Sequence, residues 1–217
     1  EADIWVDRTM GKDDPPERRP HPIGHGHPID GYVRAEMDAI SDAYGNSPSF
    51  MCLAIGNELG ESRWEEVAKW LDAKRRDDPR HLYFASTARE ITTADDITVT
   101  HKLPGVGMVR ERFLPLTDWD YEDVYSKSGL PTVAHEIGQW PVYPMWDFLG
   151  KFTGVLKPWN ISRHQRTART RNAIRFNRLY HEASAKTSRL IYKDEVESFL
   201  RTPSCTGLEL LNVQDFT

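Results

Sequence analysis

The amino-acid sequence predicts an α/β fold built on parallel strands, and three observations point to it. Strand-like apolar runs alternate with helix-period runs almost throughout the chain. The runs Ala54-Ile55-Gly56-Asn57-Glu58 and Thr132-Val133-Ala134-His135-Glu136 each end on a glutamate, as where a buried parallel strand delivers a side chain to a rim. The interval between the two glutamates holds three βα units of about 26 residues, near the roughly 30 per unit of a 250-residue barrel. These features predict a (β/α)8 TIM barrel, of which six strands are present, with residues 1–217 forming one domain.

Ile4-Trp5-Val6 reads as the first strand and stops at Asp7-Arg8. A polar, Pro- and Gly-rich loop then leads to Asp30, expected to cap a helix over about 31–44 that carries Val33, Met37 and Ile40 at helical spacing. Residues 50–55 read as a strand. Ser62 precedes a helix with Trp64, Val67, Ala68 and Leu71 on one face, ending in the charged run 74–78. Residues 82–86 and 97–101 read as strands, and the latter ends on His101. The segment 102–130 is longer than a connector needs and is expected to cover a site. Residues 132–134 form the strand that carries Glu136. Ser162 is expected to cap a helix reaching about Lys186, followed by a second helix over 189–200 and a last strand over 208–213.

Composition removes several function classes. A net charge of −5 offers no basic face to neutralise phosphates, so no nucleic-acid partner is expected. No run of 18 apolar residues occurs, so no membrane span is expected. Cys52 and Cys205 show neither CxxC nor Cys/His metal spacing and read as buried free thiols. The chain begins Glu1-Ala2-Asp3, which leaves a removed leader open and is compatible with a periplasmic or secreted protein. His21, His25 and His27 lie in a Gly/Pro setting without rigid presentation, so no metal site is expected there. Pro104-Gly105-Val106-Gly107 lacks the third glycine and helix start of a dinucleotide fingerprint, and no cofactor is expected.

Two carboxyl groups on one rim are the apparatus for splitting a glycosidic bond. One protonates the leaving oxygen and later activates water; the other attacks the anomeric carbon. Asn57, beside Glu58, can hydrogen-bond the hydroxyl next to the reacting carbon. Gly56-Asn57-Glu58 resembles the acid/base motif of clan A glycoside hydrolases, and Ala134-His135-Glu136-Ile137-Gly138 resembles their nucleophile motif. The overall pattern is most similar to the family 2 catalytic barrel of β-galactosidases, β-glucuronidases and β-mannosidases. That resemblance implies that the chain runs from strand 3 to strand 8 of the barrel, with Glu58 ending strand 4 and Glu136 ending strand 7. It also implies that two further βα units and N-terminal β-sandwich domains complete the protein. Where family 2 commonly has an aromatic residue before the glycine, this chain has Ile137, a departure that bears on sugar specificity.

Further candidates rest on position. His101 can bond Glu136 or the sugar, although a buried histidine with satisfied bonds looks the same in sequence. Asp7 and Arg8 can contact sugar or pair with each other. Trp140 offers a flat face to a sugar ring, as do Trp119, Trp146 and Trp159, or packs its own loop. Lys102, Arg110 and Arg112 can clamp a carboxylated sugar or stand as solvated loop charges. Asp118-Trp119-Asp120-Tyr121 can line a subsite or anchor its loop. The resulting expectation is a retaining β-glycosidase that hydrolyses terminal β-linked sugars, with Glu58 as acid/base and Glu136 as nucleophile. The alternatives are a noncatalytic carbohydrate-binding or structural barrel fragment, or endo-cleavage of a polysaccharide.

Overall fold

The structure is a computed structural model that describes residues 4–5, 22–103, 107–108 and 118–211, with the backbone alone for 4–5, 102–103 and 107–108. The chain divides into two compact units, one formed by Glu1–Ile137 with Ser198–Glu209, the other by Gly138–Glu197 with Leu210–Thr217.

The first unit contains β1 (Ile4–Trp5), α1 (Pro28–Tyr44), β2 (Cys52–Asn57), α2 (Trp64–Asp77), β3 (Leu82–Thr87), β4 (Thr98–Thr100), β5 (Lys102–Leu103), β6 (Gly107–Met108), α3 (Glu122–Tyr125), β7 (Thr132–Ile137) and most of β8 (Cys205–Leu210). Asn212 and Val213, expected in the last strand, lie outside the described residues. Helix α1 starts earlier than expected. His27 is the capping residue, its ring accepting from the Ile29 N–H at 3.4 Å, and Pro28 takes the first turn, where its missing N–H is not needed. Asp30 instead sits buried within that turn and accepts the N–H groups of Gly24 (2.8 Å) and Gly26 (2.7 Å). Both glycines have left-handed φ, +86° and +80°, so the carboxylate closes a turn that a side chain would strain.

Strand alternation divides the apolar residues between two cores. Leu53, Ile55, Tyr83 and Ala85 pack with Val33 and Met37 of α1 and with Val67, Trp70 and Leu71 of α2. Ala54 and Phe84 point the other way and pack with Ile97 and Val99, with Cys52 and Val133 at the margin. Each fully buried Leu, Ile or Val in these cores contributes about 1.5–3 kcal/mol over its exposed state.

The closed barrel expected from the sequence is overturned. Three strands pair in parallel as β1-β2-β3, β4 pairs in parallel with β7, and β8 bonds to the other side of β7. A short antiparallel hairpin joins β5 and β6. The result is a mixed α/β fold of separate small sheets, and no barrel closes among the described residues. The reason lies on the free edge of β3. The Tyr83 N–H donates to the Asp96 carboxylate (2.8 Å) and the Ala85 N–H to that of Asp95 (3.0 Å), while the Asp96 N–H returns to the Tyr83 carbonyl (2.9 Å). The loop before β4 thus consumes the edge groups that a neighbouring strand would use. One backbone bond, from the Ala88 N–H to the Val99 carbonyl (2.9 Å), links the two sheets there without extending into a ladder. Contacts between β7 and β8 advance together along both strands: Thr206 bonds the Thr132 carbonyl, Gly207 faces Val133, and Glu209 meets His135.

In the second unit, which holds α5 as far as Glu197, the expected long helix from Ser162 to Lys186 is two helices, α4 (Trp159–Thr170) and α5 (Asn177–Leu200), separated by a 3₁₀ turn over Ile174–Phe176. No break occurs near residue 188, between the two helices that the sequence predicts. Asn172 adopts φ 53°, its N–H bonds the Arg169 carbonyl (3.1 Å), and the Ala173 N–H bonds that of Ala168 (2.8 Å). This is a Schellman termination with asparagine in the place that glycine favours. The loop before α4 is tied along α5 within this unit. The His181 ring bonds the Tyr143 carbonyl (2.7 Å), the Ser184 hydroxyl accepts the Tyr143 N–H (2.8 Å), and the Asn177 amide donates to the Pro144 carbonyl (2.7 Å).

Three outcomes follow from these contacts. Asp96→Ala removes the acceptor for the Tyr83 N–H and the partner of Arg75 (3.0 Å), and should cost about 1–3 kcal/mol in urea unfolding. Asn172→Gly relieves the left-handed residue and should raise stability by about 0.5–1 kcal/mol in the same measurement. Burial pushes the Asp95 carboxyl above 3.8, while the donors of Thr92 and Ala85 pull it down. A raised folded value means that folding takes up a proton between the two values. The Asp95 contribution is therefore fully present below 3.8 and lost as the pH rises through the folded value. Asp95→Asn should flatten that part of the stability–pH curve.

Candidate functional site

The site lies at the ends of β2, β3, β4 and β7. Beyond Asn57 the chain turns through Glu58 in the left-handed region, φ 48°. The turn is held by the end of β3. The Glu58 N–H donates to the Thr87 carbonyl (3.2 Å) and hydroxyl (3.3 Å), and the Leu59 N–H donates to the Ser86 hydroxyl (2.9 Å). The Thr87 hydroxyl donates to the Asn57 side-chain oxygen, and Leu59 is fully buried in the helix-side core. A non-glycine residue pays about 1–2 kcal/mol for this conformation, so anchors on both sides are needed to hold it.

Glu136 has the same left-handed φ, 52°, within the last turn of β7, and Ala88 repeats it after β3. Left-handed non-glycine residues thus stand at the ends of three strands. At Glu136 the deviation from extended geometry interrupts the simple up-down alternation of the strand, so Glu136 is half-buried while Ala134, His135 and Ile137 are buried.

His101, buried just beyond β4, stands between the two carboxylates. Its Nε2 lies 4.0 Å from Glu58 Oε1 and its Nδ1 lies 3.8 Å from Glu136 Oε2. The His135 ring stacks on it, with centroids 5.2 Å apart and planes 7° from parallel. His135 Nε2 is 3.5 Å from Glu136 Oε1, and its Nδ1 is hydrogen-bonded to the Glu209 carboxylate of β8. Arg89 closes the other side, Nη1 lying 3.3 Å from Glu58 Oε1 and 3.2 Å from the Ala88 carbonyl. Three carboxylates, one guanidinium and two stacked imidazoles therefore share one small volume. Such a group can transfer protons, present a nucleophilic oxygen, or bind a cation.

Of the residues singled out in the sequence, Glu58, Asn57, His101 and Glu136 come together. Asp7 and Arg8 lie outside the described residues, as do His21, Arg110, Arg112 and the Lys102 side chain. Trp140 belongs to the second unit, where its indole N–H donates to Glu195 (2.7 Å) and its carbonyl accepts from Ser188 (2.8 Å). Glu195, buried, also accepts the Gly138 N–H (3.0 Å). Gly138 has φ +82°, and a Cβ there would collide with the Tyr192 ring, so this position admits glycine alone. Trp119 stacks edge-on with Tyr121 at 4.7 Å, and Tyr121 stacks with Phe199 at 4.5 Å, so this acidic-aromatic run anchors its loop. His25 bonds the Glu61 carbonyl (3.2 Å) and His27 caps α1, which leaves both in backbone service. The two cysteines are free, and burial raises both thiols.

Arg89, Thr87, Glu209 and the role of His135 were not legible beforehand. Arg89 follows a strand end and carries that much signal. Glu209 gives none, because its partner is set by the pairing of β7 with β8.

No protein-family model matches the chain, and no curated protein matches it.

Proposed function

We propose that this chain hydrolyses terminal β-linked sugars of oligo- or polysaccharides by double displacement, with Glu58 as general acid/base and Glu136 as nucleophile. The observation that carries the reading is the placement of the two glutamates, at the ends of parallel-sheet strands, on opposite nitrogens of one imidazole at 4.0 and 3.8 Å. The resemblance of the two motifs to clan A glycoside hydrolases supports it and supplies the order of roles. The reading requires two carboxyl groups facing one sugar, and does not require a closed barrel.

In the first step the Glu136 carboxylate attacks the anomeric carbon, the bond to the leaving oxygen breaks, and Glu58 gives that oxygen its proton. In the second, Glu58 takes a proton from water, the water oxygen attacks the same carbon, and the ester to Glu136 breaks, restoring both groups. Arg89 beside Glu58 and the imidazole of His101 between the carboxylates hold charge and geometry through the exchange. Asn57, bonded through its oxygen to Thr87, has its amide N–H groups to offer the neighbouring sugar hydroxyl.

Aryl β-glycosides test the assignment. Glu58→Ala should lower kcat/KM by about 10²–10⁴-fold on substrates with poor leaving groups, less on activated ones, and azide should restore part of the rate. Glu136→Gln should abolish both turnover and covalent labelling by a 2-fluoroglycoside. Labelling that survives Glu136→Gln, or a first-formed product of inverted anomeric configuration, would reject the double displacement.

A further inference from the structure

We infer that His101, His135 and Glu136 form a binding site for a divalent transition-metal ion of the zinc type, and that an ion held there withdraws Glu136 from any nucleophilic role. Each of the three offers one ligand atom, a ring nitrogen or a carboxylate oxygen, and these atoms lie within 4.8 Å of one another. Donors at about 2.0–2.1 Å around a tetrahedral zinc ion stand roughly 3.3 Å apart. The separations from His135 Nε2 to Glu136 Oε1, 3.5 Å, and from His101 Nδ1 to the other carboxylate oxygen, Oε2, 3.8 Å, come close to that spacing. Two imidazoles and a carboxylate are also the donor set that leaves a fourth position for solvent.

A second observation, independent of the spacing, concerns protons. His135 is buried, and its Nδ1 is bonded to the Glu209 carboxylate, which accepts but cannot donate when ionised. The Nδ1 proton is therefore committed to Glu209, and in the neutral ring Nε2 carries a lone pair. That buried Nε2 has no hydrogen-bond partner and lies 3.5 Å from Glu136 Oε1. A buried nitrogen lone pair left unpaired is costly, and a bound cation removes that cost. The arrangement of Glu209 on the far nitrogen is also the carboxylate–histidine–metal pattern that fixes the tautomer and raises ligand basicity. Glu58, 4.0 Å from His101 Nε2, stands in the corresponding place behind the other imidazole.

The type of donor, not only its spacing, selects the ion. Borderline ions that accept imidazole, such as Zn²⁺ and Co²⁺, fit this donor set. Ca²⁺ and Mg²⁺, which favour six or more oxygen ligands, do not.

Titration of the metal-stripped chain with Co²⁺ and Zn²⁺ tests the site without reference to hydrolysis. One equivalent of Co²⁺ should give a visible ligand-field absorption that Zn²⁺ abolishes and Ca²⁺ leaves intact, and Zn²⁺ should raise the unfolding temperature. Glu136→Gln and His135→Gln should remove the absorption, and Glu209→Gln should weaken binding about 10–100-fold. His25→Ala/His27→Ala should leave the cobalt absorption unchanged. If the His135 variant fails to fold, Glu209→Gln and Glu136→Gln carry the comparison. The absence of saturable one-to-one Co²⁺ binding, or binding of undiminished affinity in both Glu136→Gln and Glu209→Gln, would overturn the assignment. If the chain turns over aryl β-glycosides, Zn²⁺ should inhibit it in competition with substrate. If it turns over none, the spectroscopic result stands alone, so failure of the glycosidase reading and failure of the metal site are separately visible.

Discussion

The structure depends on how the two edges of β3 are satisfied. One edge takes β2 in parallel register from Cys52↔Leu82 to Asn57↔Thr87, and that register delivers Ser86 and Thr87 to the turn after β2. The other edge is closed by the carboxylates of Asp95 and Asp96. A strand edge can be spent only once. By bonding it to side chains, the loop before β4 ends the first sheet and makes β4 begin another. The same loop places His101 beyond β4, so the interruption of the sheet and the position of the central imidazole have one origin.

The left-handed residues follow from this framework. Glu58, Ala88 and Glu136 hold φ of 48°, 52° and 52°, each a conformation that costs a side-chain-bearing residue about 1–2 kcal/mol. Asn172 shows the ordinary use of such a residue, to end a helix, and any glycine can replace it there. Glycine at 58 or 136 would be equally comfortable for the backbone but would remove the carboxylate. Strain retained at two glutamates that face one histidine, and held at Glu58 by bonds from its own N–H to Thr87 and from the Leu59 N–H to Ser86, is what an arrangement selected for its side chains looks like. Backbone economy alone does not account for it.

Local features were legible in the sequence and long-range ones were not. The strands at residues 52–57, 82–87 and 132–137 and the helix at 64–77 lie where period and composition put them, because each has an apolar face of ordinary length. The juxtaposition of Glu58, His101 and Glu136 was also legible, since each follows an apolar run. Barrel closure was not, because it depends on the edge of β3, and Asp95-Asp96 reads in sequence as one more polar loop. The break between α4 and α5 was missed because asparagine stands where glycine would have marked the stop. Asp30 misled in the opposite way: a residue type that caps helices serves here to tie Gly24 and Gly26. His135 and Glu209 meet through strand pairing alone, a relation that no local pattern encodes.

The chemistry of the site turns on what lies between His135 Nε2 and Glu136. With Glu209 holding the other imidazole nitrogen, the gap requires either a proton or a metal ion. A proton there makes a hydrogen bond between His135 Nε2 and Glu136 Oε1, which orients the carboxylate of the proposed nucleophile. A metal ion satisfies the same electrostatic demand but takes the reactive oxygen as a ligand. The two occupants compete for one position of a few ångströms, and each excludes the other. Glu209 is indifferent to the choice, since it orients His135 in both states. Glu136 is not, and its availability is thus governed by the occupant of a gap that its own backbone conformation, φ 52°, creates.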